Sequence, residues 1–427
     1  MPSEPIHAGL VASLRGLDRD GRLLFTTRVL RMFGYGFLAV VLVLYLAALG
    51  LDALTIGVIL TLTLVGDTLI SLWLTTSADR IGRRRVLVAG SLLMVGAGFV
   101  FAITSWVPLL IAAATIGVIS PTGNEVGPFL AVEQSALTEA TPTVRRTPTF
   151  AWYNLAGYVA TAVGALSAGL VSQALIGMGV AAVDAYRVIV VCYAVVGVAM
   201  ATVFARVGPA VEPPVAPAPD DGIARRLGLG RSKGIVARLS VLFAVDAFAG
   251  GFIPQSLMAY WFHLKFGVPP AVLGTIFFGA NLLAAVSSLS ASRIAARIGL
   301  INTMVATHLP SNVLLILVPL MPNVQLAILV LLLRYTLSQM DVPTRQSYVM
   351  AVVEPNERSA AAGVTGIART TGASISPALS APLIASSALA GLPFIIAGTL
   401  KIAYDLALWR AFSSRPAPEE RAGRIGT

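Results

Sequence analysis

Twelve runs of about twenty or more mostly apolar residues pass through the chain, at 23–46, 54–77, 86–105, 107–128, 150–175, 185–206, 236–262, 269–291, 300–320, 323–342, 359–385 and 390–411. A helix needs about 20 apolar residues to cross the hydrocarbon core of a bilayer. A membrane β-barrel would alternate apolar and polar residues over short strands, whereas these runs are continuous. Composition closes the soluble alternatives. Charged residues make up 12 % of the 427 and apolar residues 56 %, with a mean hydropathy of +0.83. Thirty basic and twenty acidic side chains cannot coat the roughly three soluble domains that such a length would fill. An ordinary soluble enzyme and a disordered chain are both excluded. The expectation is an all-α membrane protein with twelve transmembrane helices. No secretory signal is expected, because residues 1–22 are polar and the first apolar run is too long for one.

Basic residues outside the membrane mark the cytoplasmic side. Twenty-three of the thirty, including Arg80, Arg83, Arg84, Arg85, Arg345 and Arg358, fall in loops or tails on one side, and Lys265 alone on the other. Both termini are therefore expected in the cytoplasm, in a multi-pass protein of the plasma (inner) membrane. The net charge of +10 then reflects topology, and no nucleic-acid partner is expected. The Pro-rich stretch 207–235 cannot continue a helix and reads as a linker. The expected division is a cytoplasmic N-terminal segment 1–22, six helices over 23–206, the linker 207–235, six helices over 236–412, and a cytoplasmic tail 413–427. Cys192 is alone, and His7, His263 and His308 are scattered, so no disulfide, metal site or cofactor is expected.

The two halves repeat each other. Phe33-Gly34-Tyr35-Gly36-Phe37 matches Phe248-Ala249-Gly250-Gly251-Phe252 at an offset of 215. Ser77-Ala78-Asp79-Arg80-Ile81 returns as Ser290-Ala291-Ser292-Arg293-Ile294, offset 213. Glu133-Gln134-Ser135 matches Arg345-Gln346-Ser347 at 212, and Glu125-Val126 resembles Asp341-Val342. Two parallel six-helix repeats with a pseudo-two-fold relation and a cytoplasmic linker form a transporter plan.

Between the second and third runs the chain reads Thr75-Thr76-Ser77-Ala78-Asp79-Arg80-Ile81-Gly82-Arg83-Arg84-Arg85. This resembles the loop signature of the major facilitator superfamily (MFS), G-x-x-x-D-R-x-G-R-R, with Thr75 in place of the first glycine. Gly82 permits a tight turn. The resemblance implies a cytoplasmic gate in which Asp79 faces the start of the eleventh helix near Ser359. It also implies that the arginines, Arg80, Arg83 and Arg84 among them, pair with Glu139 or Glu133. Gly372 to Pro377 faintly resembles the antiporter signature of the family, but the fifth run lacks its Gly-Pro pair.

Charges inside the runs are costly and usually have a partner or a task. Arg31 and its repeat mate Asp246 form an opposite-charge pair by position. The alternative is that Arg28 and Arg31 snorkel to the cytoplasmic headgroups. Asp67 lies in mid-run and aligns with Asn281. Glu125 sits among Pro121, Gly123, Gly127 and Pro128, which interrupt the helix. It ranks first among the proton-coupling candidates Glu125, Asp67 and Asp246, because an interrupted helix bearing an acid is a recurrent ion-site pattern. Arg31, Arg334, Asp341, Arg369, Asn281 and Tyr153 are the cavity and substrate candidates, with Arg334 either binding an anionic group or holding Asp341. Lys401 and Asp405, four apart, are expected to neutralise each other. Trp73, Trp106, Trp261 and Trp409 are expected as interfacial anchors.

These readings point to a secondary transporter, not an enzyme, moving a small molecule by alternating access as a monomer in the lipid bilayer. Proton-coupled efflux of a small organic or amphipathic compound leads. A non-transporting sensor on the same fold, or an importer or uniporter of a small polar or anionic solute, is the alternative.

Overall fold

The computed structural model describes residues 17–127, 129–140, 146–208, 212, 230–354 and 357–414, and within them leaves out the side chains of residues 75, 76, 79, 80, 138–140, 146–148 and 359. Most of the expected N-terminal segment 1–22, of the linker 207–235 and of the tail 413–427 lies outside the described residues. The described elements are helical, and no strand occurs among them. In chain order they are α1 Arg19–Ala48, α2 Ala53–Ile81, α3 Arg83–Ile103, α4 Val107–Ile116, α5 Phe129–Ala140, α6 Arg146–Gly177, α7 Ala182–Phe204, α8 Lys233–Gly251, α9 Gln255–Phe266, α10 Pro270–Ile298, α11 Leu300–Leu317, α12 Val324–Tyr335, α13 Asp341–Val352, α14 Arg358–Ala385 and α15 Leu392–Phe412. Among the described residues, nine helical stretches are long and apolar enough to cross a membrane, and α4 and α12 are shorter apolar helices.

Three of the expected spans are interrupted. The fourth breaks between α4 and α5, the seventh at Phe252–Pro254 between α8 and α9, and the tenth at Thr336–Met340 between α12 and α13. Proline and glycine mark the first two breaks, as helix physics requires. Backbone groups freed in such breaks must find partners away from water. Ser376 and Ser380 of α14 supply two, donating to the carbonyls of Phe248 and Phe252.

The chain forms two compact units. The first holds the chain as far as Asp52, then Val65–Pro217 and Pro269–Phe278; the second holds Ala53–Leu64, Ala218–Val268 and Gly279 onward. Small residues explain why 53–64 and 269–278 leave their own halves. Gly57 meets the backbone of Pro377 and Ala378, and Gly169 meets that of Gly274, so closely that a Cβ would collide.

Within the first unit α1 packs on α6 and α7, and α3 on α7; within the second, α8 packs on α14 and α15, and α11 on α15. The sequence repeat is thus a repeat of packing. Gly36 on α1 leaves no room for a Cβ against the Thr161 carbonyl of α6, and its repeat mate Gly251 on α8 leaves none against the Ala373 carbonyl of α14. Small residues let these backbones approach closely. Trp73, Trp106 and Trp409 are exposed, as interfacial anchors require, but Trp261 is fully buried against Phe262, Phe266 and Phe394. The anchor reading of Trp261 is therefore corrected: its neighbours are aromatic core.

Candidate functional site

The first unit buries a network around Arg31. Arg31 is 0 % exposed. Its two terminal nitrogens donate to the two oxygens of Glu133, each at 2.7 Å, and its Nε donates to Glu125 Oε1 at 2.7 Å. The fork-on-carboxylate arrangement is the strongest geometry available to an arginine. Thr27 donates to Glu133 Oε1 at 3.0 Å, and the Tyr153 hydroxyl donates to Oε2. Arg28 pairs with Glu125 and lies over the Tyr153 ring, 4.8 Å from its centroid. Gly157 makes room for it: a Cβ there would sit 2.8 Å from Arg28 Nε.

Three expectations change here, and the open alternative for Arg28 is decided. Glu133 is fully buried on Arg31 rather than placed at a cytoplasmic gate. Arg28 is buried and paired rather than snorkelling. Tyr153 is buried as a donor to Glu133 rather than lining a cavity. Arg31 is taken by Glu125 and Glu133 rather than by Asp246. The common reason is that two arginines and two carboxylates on α1, α5 and the broken segment neutralise one another, which a buried charge demands.

The broken segment 117–127 presents Glu125, and its own backbone is pinned. Tyr35 donates to the Val126 carbonyl at 3.0 Å, Tyr193 to that of Val118, and Ser120 to that of Asn124 at 2.7 Å. Gly127 takes φ +81°, which a side chain resists, and its N–H donates to Asp67 Oδ1 at 2.5 Å. Ser71 donates to the same oxygen at 3.1 Å. Asp67 therefore anchors the broken segment next to Glu125. Among the described residues no cation lies within salt-bridge distance of it.

At the loop signature, Gly82 adopts φ +103°, the turn expected of it. Arg83 and Arg84 begin α3, and their backbone N–H groups donate to the Glu212 carboxylate at 2.7 and 3.1 Å. An acid at a helix N-terminus satisfies orphan donors and opposes the positive dipole end. Glu212 belongs to the stretch that the sequence marks only as a linker. The side chains of Asp79, Arg80, Glu139 and Ser359 lie outside the described residues.

The second unit buries a network of opposite emphasis, three cations on Asp246. Lys401 Nζ donates to Oδ1 at 2.5 Å, Arg369 to Oδ2 at 3.2 Å, and Arg345 stands 3.5 Å from Oδ2. Arg345 also donates to Asp341 Oδ2 at 2.6 Å. His308 places Nε2 at 3.9 Å from Asp246 and Nδ1 at 2.8 Å from Asp405, and Asn312 donates to the other Asp405 oxygen at 2.9 Å. The expected Lys401–Asp405 pair is not formed: Lys401 reaches across to α8, and Asp405 turns to α11. Arg345, which the charge pattern places in a loop, is buried in the network. Arg334 does not hold Asp341, which Arg345 occupies. The Asn281 amide donates to Gln255 at 3.4 Å.

Sequence alone assigns no site role to Arg345 or His308. The signal for Arg345 is present in the repeat. Position 31 maps to 246 and 133 to 345, so the Arg31–Glu133 pair of the first unit corresponds to the Asp246–Arg345 pair of the second, with signs exchanged. His308 has no such counterpart.

The profile of the Major Facilitator Superfamily matches residues 24–377. The chain is 30 % identical over 419 residues to an uncharacterized membrane protein of Saccharomyces cerevisiae, covering 92 % of this chain and 93 % of that one. Among solved structures it is similar to a mutant of the nucleoside transporter NupG, with a TM-score of 0.70 at 11 % identity over 91 % of this chain and 100 % of that one. It is also similar to a D-xylose–proton symporter, with 0.69 at 15 % over 93 % and 98 %, and to a human organic anion transporter, with 0.61 at 16 % over 91 % and 99 %. At these identities the structural likeness is one of fold. The chain belongs to the major facilitator superfamily and is an integral, multi-pass membrane transporter of small molecules, not an enzyme.

Proposed function

We propose that the protein is a proton-coupled exporter of a small organic or amphipathic compound, working by alternating access as a monomer in the plasma membrane with both termini in the cytoplasm. The observation that carries the coupling is the bond between Asp67 and the hinge glycine Gly127. Glu125 faces two arginines and serves them as a counter-ion, so the proton-carrying role passes from Glu125 to Asp67. Both hydrogen bonds to Asp67 fall on Oδ1, which leaves Oδ2 to take a proton. Protonation weakens the acceptor that fixes Gly127, and the segment carrying Glu125 is then free to leave Arg28 and Arg31. A proton at Asp67 is in this way converted into a change of charge pairing two residues along the chain. Asp246, held by Lys401, Arg345 and Arg369, acts as an ion-pair centre. The export direction is supported by the loop signature at Asp79–Arg85, common among exporters in the family it resembles.

The test uses a compound found by an efflux screen in a deletion strain, followed in proteoliposomes. Asp67→Asn is expected to keep substrate exchange and lose accumulation driven by a pH gradient. Glu125→Gln is expected to slow both. Normal pH-driven accumulation by Asp67→Asn would place the proton elsewhere.

A further inference from the structure

Among the described residues, the buried network of the second unit carries more positive than negative charge. Four cations, Arg334, Arg345, Arg369 and Lys401, stand among three carboxylates, Asp246, Asp341 and Asp405. Asp405 gives its two oxygens to His308 and Asn312. Asp341 is taken by Arg345. Asp246 alone therefore serves Lys401, Arg369 and, at 3.5 Å, Arg345 again. Two arginines are left under-served. Arg334 is 8 % exposed, and among the described residues no carboxylate lies within salt-bridge distance of it. Its Nε is buried without a hydrogen-bond partner, and its guanidinium lies over the Tyr335 ring, 5.3 Å from the centroid. Arg369 makes one contact, at 3.2 Å, and its side chain is 32 % exposed, by far the most open in the network. Arg369 contacts Asp246, Arg345 links Asp246 to Asp341, and Arg334 lies seven residues before Asp341 across the break at 336–340, so both arginines border one charged cluster.

A buried cation without a counter-ion is expensive. Its retention is explained where a ligand supplies the missing charge. Guanidinium groups suit this, since their planar forks match a carboxylate or phosphate in two bonds and always stay charged. We infer that Arg334 and Arg369 recognise an anionic group, a carboxylate or phosphate, on the transported solute. The inference rests on reading the chain as a carrier of a small organic solute and names the chemical class of that solute. On arrival the anion takes the exposed fork of Arg369 and the unfilled Nε of Arg334. Asp246 keeps Lys401 and Arg345, so its own charge stays paired in both states.

The test is binding without any gradient, read as thermal stabilisation of the full-length protein in detergent at pH 7. The probes are three anions, each with its uncharged analogue: succinate and succinamide, hexanoate and hexanamide, glycerol 3-phosphate and glycerol. At least one anion should raise the melting temperature in a saturable way while its analogue does not. Its apparent affinity should fall at least tenfold in Arg369→Gln and in Arg334→Lys, which keeps the charge but loses the fork. These two variants carry the test even where Arg334→Gln does not fold. The inference is overturned if no anion outperforms its uncharged partner, or if stabilisation is unchanged in both variants. Stabilisation by phosphatidylglycerol in nanodiscs, with none by the soluble anions, overturns it as well, since the arginines would then hold a lipid headgroup. Because no proton gradient is applied, failure of the Asp67 coupling leaves this result untouched. A failed anion test leaves the coupling test standing.

Discussion

Glu133→Gln should be among the most destabilising single changes in the first unit. Glu133 is 0 % exposed and accepts four hydrogen bonds, two from Arg31 and one each from Thr27 and Tyr153. A glutamine has one acceptor oxygen where the carboxylate has two. Its amide nitrogen would face donors, Arg31 Nη2 and the Tyr153 hydroxyl, on the side it replaces. Breaking a buried ion pair by removing one partner costs about 3–5 kcal/mol, because the other charge is left behind. Arg31 retains Glu125 at 2.7 Å, which places the cost near the lower end, at about 3 kcal/mol. For a folding unit of roughly 200 residues this corresponds to a fall of about 6–12 °C in melting temperature. Removing both charges is a different perturbation. Arg31→Met with Glu133→Leu leaves Arg28 and Glu125 to pair with each other, and replacing a buried pair by apolar groups is often close to neutral. The assay is thermal stability of the purified protein by fluorescence-detected size exclusion, run as a double-mutant cycle. The double variant should recover most of the loss. A Glu133→Gln protein melting within about 2 °C of wild type, or a double variant less stable than the sum of the singles, would refute the network.

Two further outcomes follow from loop contacts. Glu212→Ala removes the acceptor for the first amides of α3 and should cost about 1 kcal/mol, in the range of a lost N-terminal cap, with faster tryptic cleavage between the halves; unchanged cleavage would show that Glu212 does not tether the linker. Glu357 is bound to Ser232 and to the backbone N–H groups of Gly230, Arg231 and Ser232, and the Ser232 hydrogen bond first, then those amides, holds its carboxyl below the usual glutamate value. A lowered folded pKa gives stability that is present above the unfolded value, about 4.3, and lost as pH falls through the folded one. Protection of residues 230–232 from hydrogen exchange should therefore hold from pH 7 to 5 and decline below about pH 4, and Glu357→Gln should remove that decline.

Much of the fold was legible because the bilayer imposes it. Apolar runs of spanning length, the break at Pro121–Gly127 and the tight turn at Gly82 all follow from local rules that operate on neighbouring residues; the break before Pro254 falls inside a run that reads as continuous helix. The members of the site were partly legible too: Arg31, Glu125, Asp246 and Arg369 are conspicuous as charges inside apolar sequence. Their partners were not. Lys401 and Asp405 are one helical turn apart, and proximity in sequence suggests a pair. Each instead finds a better-placed partner on another helix, Asp246 on α8 and His308 on α11. Arg345 lies among polar residues and reads as a loop. It comes within 3.5 Å of Asp246 only once the second unit has folded around both. Long-range pairing of this kind depends on which helices touch, and no single span encodes that.

The exchange of signs between the halves makes a last prediction. Arg31 and Glu133 of the first unit occupy the repeat positions of Asp246 and Arg345 in the second. The helix pairs around them are also equivalent, α1 on α6 and α8 on α14. A pair that works with either polarity at equivalent positions shows that the packing specifies a buried charge there, while the neighbours specify its sign. Around Arg31 the extra partner is an acid, Glu125; around Asp246 the extra partners are bases, Lys401 and Arg369. The second arginine also changes helix, since Arg28 lies over Gly157 of α6 in the first unit, and the position equivalent to Gly157 at offset 212 is Arg369 of α14. Reversing the first pair alone, by Arg31→Asp with Glu133→Arg, should therefore fail to restore stability. It keeps the pair but sets the new acid against Glu125 and the new base near Arg28, and buried like charges repel strongly. Adding Glu125→Gln and Arg28→Gln to the reversed pair removes both repulsions and should recover a monodisperse protein. If the simple reversal is as stable as wild type, the neighbours do not set the sign; if the fourfold variant is no better than the reversal, the equivalence of the two pairs is wrong.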